Sequence, residues 1–173
     1  MQDCIRGEHI PMKLLVFSDS HGVVMYMESA VRAHKPDMVL HLGDCVEDFQ
    51  ALGALFPDLP MDHVPGNCDY GADGPATKLL TLSGARIFMT HGHRYGVKSG
   101  YLRAIYAARE QQADLLLFGH THYAECFQEG PLWVLNPGAA RNGSYGIITL
   151  SQDGMECCLG RQDGKEHYDA ANH

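Results

Sequence analysis

Short apolar runs alternate with longer amphipathic segments through the first half of the chain, and each apolar run stops at a small or acidic residue. Lys13 to Phe17 is rich in strand formers and ends at Ser18-Asp19, which predicts a buried strand. Val23 to Ala33 has helical spacing, with Val24, Met27, Ala30 and Val31 able to share a face. Met38 to Leu42 predicts a second strand ending at Gly43-Asp44, and Val46 to Leu55 a helix closed off by Pro57 and Pro60. Met61 to Val64 is a third, weaker strand running into Pro65-Gly66-Asn67. Strands alternating with helices imply right-handed crossovers and a largely parallel sheet, which binds ligands beyond its carboxyl edge. Asp19, Asp44 and Asn67 all fall at that edge.

In the second half the pattern shortens. Leu79 to Leu82 and Ala85 to Thr90, separated by Ser83-Gly84, predict a hairpin whose second strand delivers His91. Tyr101 to Gln111 predicts a helix with Leu102, Ile105, Tyr106 and Arg109 at helical intervals. Asp114 to Phe118 predicts a buried strand delivering Gly119-His120-Thr121-His122. Four more runs follow, Tyr123 to Gln128, Leu132 to Leu135, Tyr145 to Leu150 and Met155 to Leu159. Gly, Pro, Asn and Asp turn signals divide them, and they predict an antiparallel meander that finishes a second sheet.

Size and composition bound the answer. A chain of 173 residues with 45% apolar and 20% charged residues fits one soluble domain, here expected over 12–160. Residues 1–11 read as an N-terminal extension, with Met12 a candidate natural start, and 161–173 as a polar C-terminal tail. No apolar stretch reaches the roughly 20 residues that span a bilayer, and Met1 to Pro11 lacks the apolar core of a signal peptide. No membrane association and a cytoplasmic location are therefore expected. The six cysteines are scattered and expected to be reduced thiols. A formal net charge of −8 argues against capture of nucleic acid on a basic face and favours a small anionic substrate over a long one.

The chemistry is concentrated in five clusters, each after an apolar run: Ser18-Asp19-Ser20-His21-Gly22, Gly43-Asp44, Gly66-Asn67-Cys68-Asp69, Thr90-His91-Gly92-His93 and Gly119-His120-Thr121-His122. Asp19, His21, Asp44, Asn67, His91, His120 and His122 supply oxygen and imidazole donors, which suit manganese first, and also nickel, zinc or iron. The one-residue gaps in Asp19/His21 and His120/His122 would point both members to the same side of an extended segment.

The order and residue types of these clusters resemble the calcineurin-like metallophosphoesterase superfamily, and within it the small YfcE-type phosphodiesterases, from about Met12 to about Leu150. The resemblance implies an α/β fold, a two-sheet β-sandwich flanked by helices in αββα layers. It implies two divalent metal ions, one held by Asp19, His21 and His122, the other by Asn67, His91 and His120, with Asp44 bridging. It further implies hydrolysis of a small phosphodiester by attack of a metal-bridging hydroxide. Many relatives carry His as the acid after the metal-binding Asn, whereas this chain has Cys68, as YfcE-type proteins do. The proton donor is therefore open among His93, Cys68 and metal-bound water, with Asp69 orienting a neighbour. Asn67, His93 and Arg141 are the candidate substrate contacts, although a solvated Arg141 is equally compatible. Asn136-Pro137-Gly138 matches another family signature, with Ala139 where Ser is usual, and is read as a turn supporting the metal loops.

The remaining histidines carry weaker signals. His41 reads as a core residue or one standing behind the ligands, His34 and His63 as surface or strand positions, and His9, His167 and His173 as tail residues. Trp133, Met25, Met27 and Tyr101 are expected to pack. Two other readings stay open: a non-catalytic protein-binding scaffold, as in the retromer subunit of this fold, and a phosphomonoesterase or nuclease using the same metals. A homodimer is expected from relatives.

Overall fold

The computed structural model describes residues 10–162 and the backbone of 168–169. The extension through His9 and the rest of the tail, with His167 and His173, lie outside the described residues. In chain order the elements are β1 (Met12–Phe17), α1 (Met25–His34), β2 (Met38–His41), α2 (Val46–Leu55), β3 (Met61–His63), β4 (Thr77–Leu82), β5 (Ala85–Thr90), α3 (Leu102–Glu110), β6 (Leu115–Leu117), β7 (Ala124–Glu129), β8 (Leu132–Pro137), β9 (Ser144–Ser151), β10 (Gly154–Arg161) and β11 (Tyr168–Asp169).

Two sheets form, in the orders β11-β10-β9-β1-β2-β3 and β4-β5-β6-β8-β7. Strands β1, β2 and β3 are parallel to one another, and so are β5, β6 and β8. Period-two alternation sorts each central strand between two cores. Leu14 and Val16 of β1 join Leu40, Ile87, Met89, Leu115, Leu117 and Ile148 between the sheets. Leu15 and Phe17 face the other way and pack with Met27, Ala30 and Val31 of α1 and Leu52 of α2. On the outer face of the second sheet, Phe88, Leu116 and Phe118 meet Ala104, Ile105 and Ala108 of α3. Helix, sheet, sheet and helix are the four layers, as the fold class predicted. Among the described residues, no helix is long and apolar enough to cross a membrane.

Two expectations need correction. The last four runs do not build one meander: β7 and β8 belong to the second sheet, while β9 crosses over and pairs antiparallel with β1. The turn between them makes that crossing, because Ala140 N donates to Ser18 O at 2.8 Å and docks the chain on the end of β1. Of the α3 residues at helical intervals, Ile105 is buried, whereas Leu102 and Tyr106 are 65% and 60% exposed. Small residues explain it: Ala104 and Ala108 let the helix approach the sheet, and Tyr101 fixes its rotation by lying 4.8 Å from the Phe118 ring and hydrogen bonding Glu125. Met25 does not pack inward and is 63% exposed.

Every parallel strand ends on the same rim of the sandwich. The chain leaving β1, β2, β3, β5 and β6 carries the five polar clusters, and the chain leaving β8 carries Gly138 to Arg141. Backbone hydrogen bonds lace these loops together, Asp19 N to Gly43 O at 2.9 Å and Gly119 N to His91 O at 3.0 Å.

Candidate metal centre

The seven candidate ligands meet on that rim. One donor atom each from Asp19, His21, Asp44 and His122 lie within 4.8 Å of one another, and the same holds for Asp44, His91 and His120. Asp44 belongs to both groups. Asn67 joins the second through Oδ1, 3.0 Å from His91 Nε2.

How the loops achieve this differs from the sequence argument. Asp19, His21, His120 and His122 are not extended; their φ angles are 55, 44, 67 and 66°, and Asp44 is at 61°. Five candidate ligands thus occupy the left-handed region, which costs a non-glycine residue on the order of 1–3 kcal/mol. Such backbone persists only where the surroundings over-determine it. Close approach of glycine supplies part of that: a Cβ on Gly119 would stand 2.0 Å from Ser18 Oγ, and one on Gly66 would stand 2.2 Å from Asp44 Oδ1.

The carboxylates are held by one oxygen and offer the other. Asp19 Oδ2 accepts from Ser18 Oγ at 2.6 Å and from His120 N at 3.0 Å. Its Oδ1 is buried and no donor is aligned on it, although His122, His21 and His91 Nε2 stand 3.1, 3.8 and 3.9 Å away. An unsatisfied buried acceptor costs roughly 1–3 kcal/mol, and more when charged, so this oxygen fits a cation. Asp44 Oδ1 accepts from Cys68 N at 2.9 Å, while Oδ2 lies 3.4 Å from His91 Nε2 and 3.8 Å from His21 Nε2. That second oxygen sits between the two groups.

The imidazoles are equally constrained. His91 Nδ1 is 2.7 Å from Leu42 O, so Nδ1–H donates there and Nε2 faces the centre. His120 turns Nδ1 toward it at 3.2 Å, and His21 and His122 face each other through Nε2 at 3.4 Å. Burial, then neighbouring His91 and Lys98, lowers the pKa of His120 to about 4, leaving a neutral ligand near pH 7. Burial opposes charge on His91, yet its hydrogen bond to Asp44 and the charges of Asp19 and Asp44 outweigh this and raise its pKa. The same His91 contact holds the Asp44 carboxyl well below the usual range, against the burial that would raise it.

Comparison with known proteins agrees with this geometry. The profile of the calcineurin-like phosphoesterase superfamily domain matches residues 12–153. The chain belongs to that superfamily. A probable metallophosphoesterase, YsnB of Bacillus subtilis, is 34% identical over 170 residues, 93% of this chain and 98% of its own. Phosphodiesterase YfcE of Escherichia coli K12 is 33% identical over 99 residues, covering 49% of this chain and 50% of that protein. A predicted phosphoesterase structure from Streptococcus pneumoniae TIGR4 superposes with a TM-score of 0.72 at 25% identity, covering 92% of this chain and 98% of the other. Vacuolar Protein Sorting 29 from Cryptosporidium parvum gives 0.74 at 17% identity, covering 92% and 98%, a likeness of fold alone.

Around the candidate ligands of this calcineurin-like phosphoesterase stand the other sequence candidates. Asp69 does not face the centre with a free oxygen. Oδ2 accepts from Asp44 N and Gly66 N at 2.8 and 2.7 Å, and Oδ1 from Cys45 N and Val46 N at 2.8 and 2.9 Å. Burial would raise its pKa, but those backbone donors lower it. His93 lies beside His91 and His120, ring centroids 5.4 and 6.1 Å away, and its Nδ1 is buried without a partner. Burial, His91 and Arg94 lower its pKa. Cys68 is exposed, and burial of its sulfur together with Asp44 raises its thiol pKa, so it keeps its proton. Arg141 is exposed, its backbone N donating to Asp19 O at 3.4 Å.

Residues behind the ligands were harder to read. Asn136 is buried and donates Nδ2 to Gly119 O at 3.2 Å and Thr121 Oγ1 at 2.8 Å, so the turn does brace the His120/His122 loop. His41 is buried, with Nε2 3.3 Å from Ser20 Oγ and Nδ1 accepting from Gly43 N at 3.2 Å. It ties the first loop to the second. Asp48 was missed; from the first turn of α2 it accepts Gly22 N at 2.7 Å. An acid there suggests only a helix-dipole partner.

Proposed function

We propose that this calcineurin-like phosphoesterase is a binuclear metal-dependent phosphodiesterase acting on a small phosphodiester. One observation carries the two-ion reading: Asp44 is tethered by Oδ1 and presents Oδ2 between the two donor groups. Asp19, His21 and His122 would hold one divalent ion, and Asn67, His91 and His120 the other, with Asp44 shared. When bound, such a pair of ions, manganese before nickel, zinc or iron, supplies an activated water and neutralises phosphoryl charge.

The chain's own groups do the rest. Asp69, Asn136 and His41 fix the loops, so the donors are organised before substrate arrives. Asn67 and Cys68 sit exposed at the mouth, where the amide and the protonated thiol reach an incoming ester. His93 stands on the His91/His120 side with an unpartnered ring nitrogen. His93 and Cys68 are the residues proposed to give the leaving oxygen its proton. Arg141, exposed on the opposite loop, is proposed to meet a phosphoryl oxygen. A net charge of −8 keeps the substrate small.

The test is hydrolysis of a chromogenic bis-aryl phosphate with manganese, wild type against Asp44→Asn. A loss of more than about 100-fold is expected, beyond what residues behind metal ligands cost. Equal turnover in the two proteins would overturn the reading. The fold match to Vacuolar Protein Sorting 29 keeps a protein-binding role as the second reading. Metal-loaded protein that turns over no diester, monoester or oligonucleotide, yet forms a stable complex with another protein, would favour it.

A further inference from the structure

We infer that Cys126 and Cys157 are a disulfide site, a pair of thiols that fastens the two sheets together covalently when a small disulfide such as oxidised glutathione supplies the oxidising equivalents. The inference is independent of the phosphodiesterase reading and uses cysteines that take no part in the candidate metal centre. Cys126 lies on β7, the edge strand of the second sheet, and Cys157 on β10 of the first. Stacked sheets ordinarily stand about 10 Å apart. Here Cα atoms of the two strands come within 8 Å. A disulfide needs Cα atoms about 4.4–6.8 Å apart, a separation within reach of strands this close. Cys157 is buried in the core between the sheets, and Cys126 packs against that core from the facing strand. Cys126 Sγ stands 3.7 Å from Cys157 O, and the two thiols hydrogen bond each other. Alternation along β10 turns Cys158 to the other core, beneath α1 and α2.

The two thiols have unequal roles. Cys126 is half-buried, and its hydrogen bond with Cys157 lowers its pKa against the effect of burial, so it is the thiol that meets and attacks the small disulfide. Its sulfur bonds one glutathione sulfur, the glutathione S–S bond breaks, and the departing glutathione thiolate takes up the Cys126 proton. That hydrogen bond and burial raise the pKa of Cys157, which keeps it inert toward reagents in solvent. Cys157 faces Cys126, however, and its sulfur attacks the mixed disulfide there. The second glutathione leaves and takes up the Cys157 proton. Two protein thiols are thereby oxidised to one disulfide, and one oxidised glutathione is reduced to two thiols. The bridge joins positions 31 apart and removes freedom from the unfolded chain.

The test treats the whole folded chain with an excess of oxidised glutathione, alkylates the remaining thiols and digests with trypsin without reductant. Cleavage at Arg109, Arg141 and Arg161 leaves Cys126 the single cysteine of one peptide and puts Cys157 and Cys158 together in the next. Mass spectrometry should find these two peptides linked in wild type and in Cys158→Ser, and separated by reduction. No link is expected in Cys126→Ser or Cys157→Ser. Oxidation should also raise the wild-type Tm by about 5 °C or more, reversed by dithiothreitol. The mapping of wild type decides the matter even if a variant fails to fold. Cys126 recovered alkylated, or still carrying glutathione, would overturn the site, as would a link that persists in Cys157→Ser and disappears in Cys158→Ser. A link that leaves Tm unchanged would overturn its role in fastening the sheets.

Discussion

Asp69 puts both carboxylate oxygens to use on backbone, gathering Asp44, Cys45, Val46 and Gly66 around one side chain. Cys45 and Asp44 are both left-handed there, so the carboxylate holds a turn that its residues would not choose. Asp69→Asn replaces one acceptor with a donor facing backbone N–H groups. It should cost about 2–3 kcal/mol in urea unfolding and lower bound metal. Unchanged stability with full metal content would contradict the positioning role. His41 gives a pH prediction. Burial lowers its pKa from 6.5 to about 4, against the nearby charges of Asp69 and Asp48, so it stays neutral in the folded chain while the unfolded chain takes up a proton below about pH 6.5. Stability is therefore complete above that pH and falls as pH drops toward 4, by up to about 3 kcal/mol. His41→Asn, which keeps an acceptor for Gly43 N, should flatten that slope in metal-stripped protein; an identical slope would rule His41 out.

At the level of elements, the strands were legible because alternation and apolar runs report burial directly. Leu14/Val16 against Leu15/Phe17 is a period-two signal, and α2 has the bounds its sequence predicts. Helix α3 was legible in place but not in rotation. Periodicity offered Leu102, Ile105, Tyr106 and Arg109, whereas packing selected Ile105 with Ala104 and Ala108, whose small side chains set the approach distance. Ile105→Ala should accordingly cost about 2–4 kcal/mol, and Leu102→Glu or Tyr106→Lys less than about 0.5 kcal/mol. The reverse ranking in thermal unfolding would refute this rotation. The meeting of the candidate donors on one rim was legible too, but loop conformation was not. Histidine tolerates positive φ better than most residues, but that tolerance does not by itself select φ values of 44, 67 and 66°; contacts between loops hold them.

Across the whole molecule, two sheets bring five clusters spread over more than 100 residues to one rim. The parallel arrangement of β1, β2 and β3 followed from strand–helix alternation, and with it the edge that carries Asp19, Asp44 and Asn67. The return of β9 to the first sheet did not, because a Gly and Asn turn signal does not say which sheet the next strand joins. The chain making that return docks on the end of β1, where Arg141 N donates to Asp19 O, while Asn136 at the end of β8 braces the loop after β6.

The central claim is that two ions share Asp44. Anomalous diffraction at the manganese edge, on crystals of protein loaded with manganese, tests it directly. Two peaks are expected, one ringed by Asp19, His21 and His122, the other by Asn67, His91 and His120, with an Asp44 oxygen bound to both. A single peak, or two that do not have Asp44 in common, would contradict it.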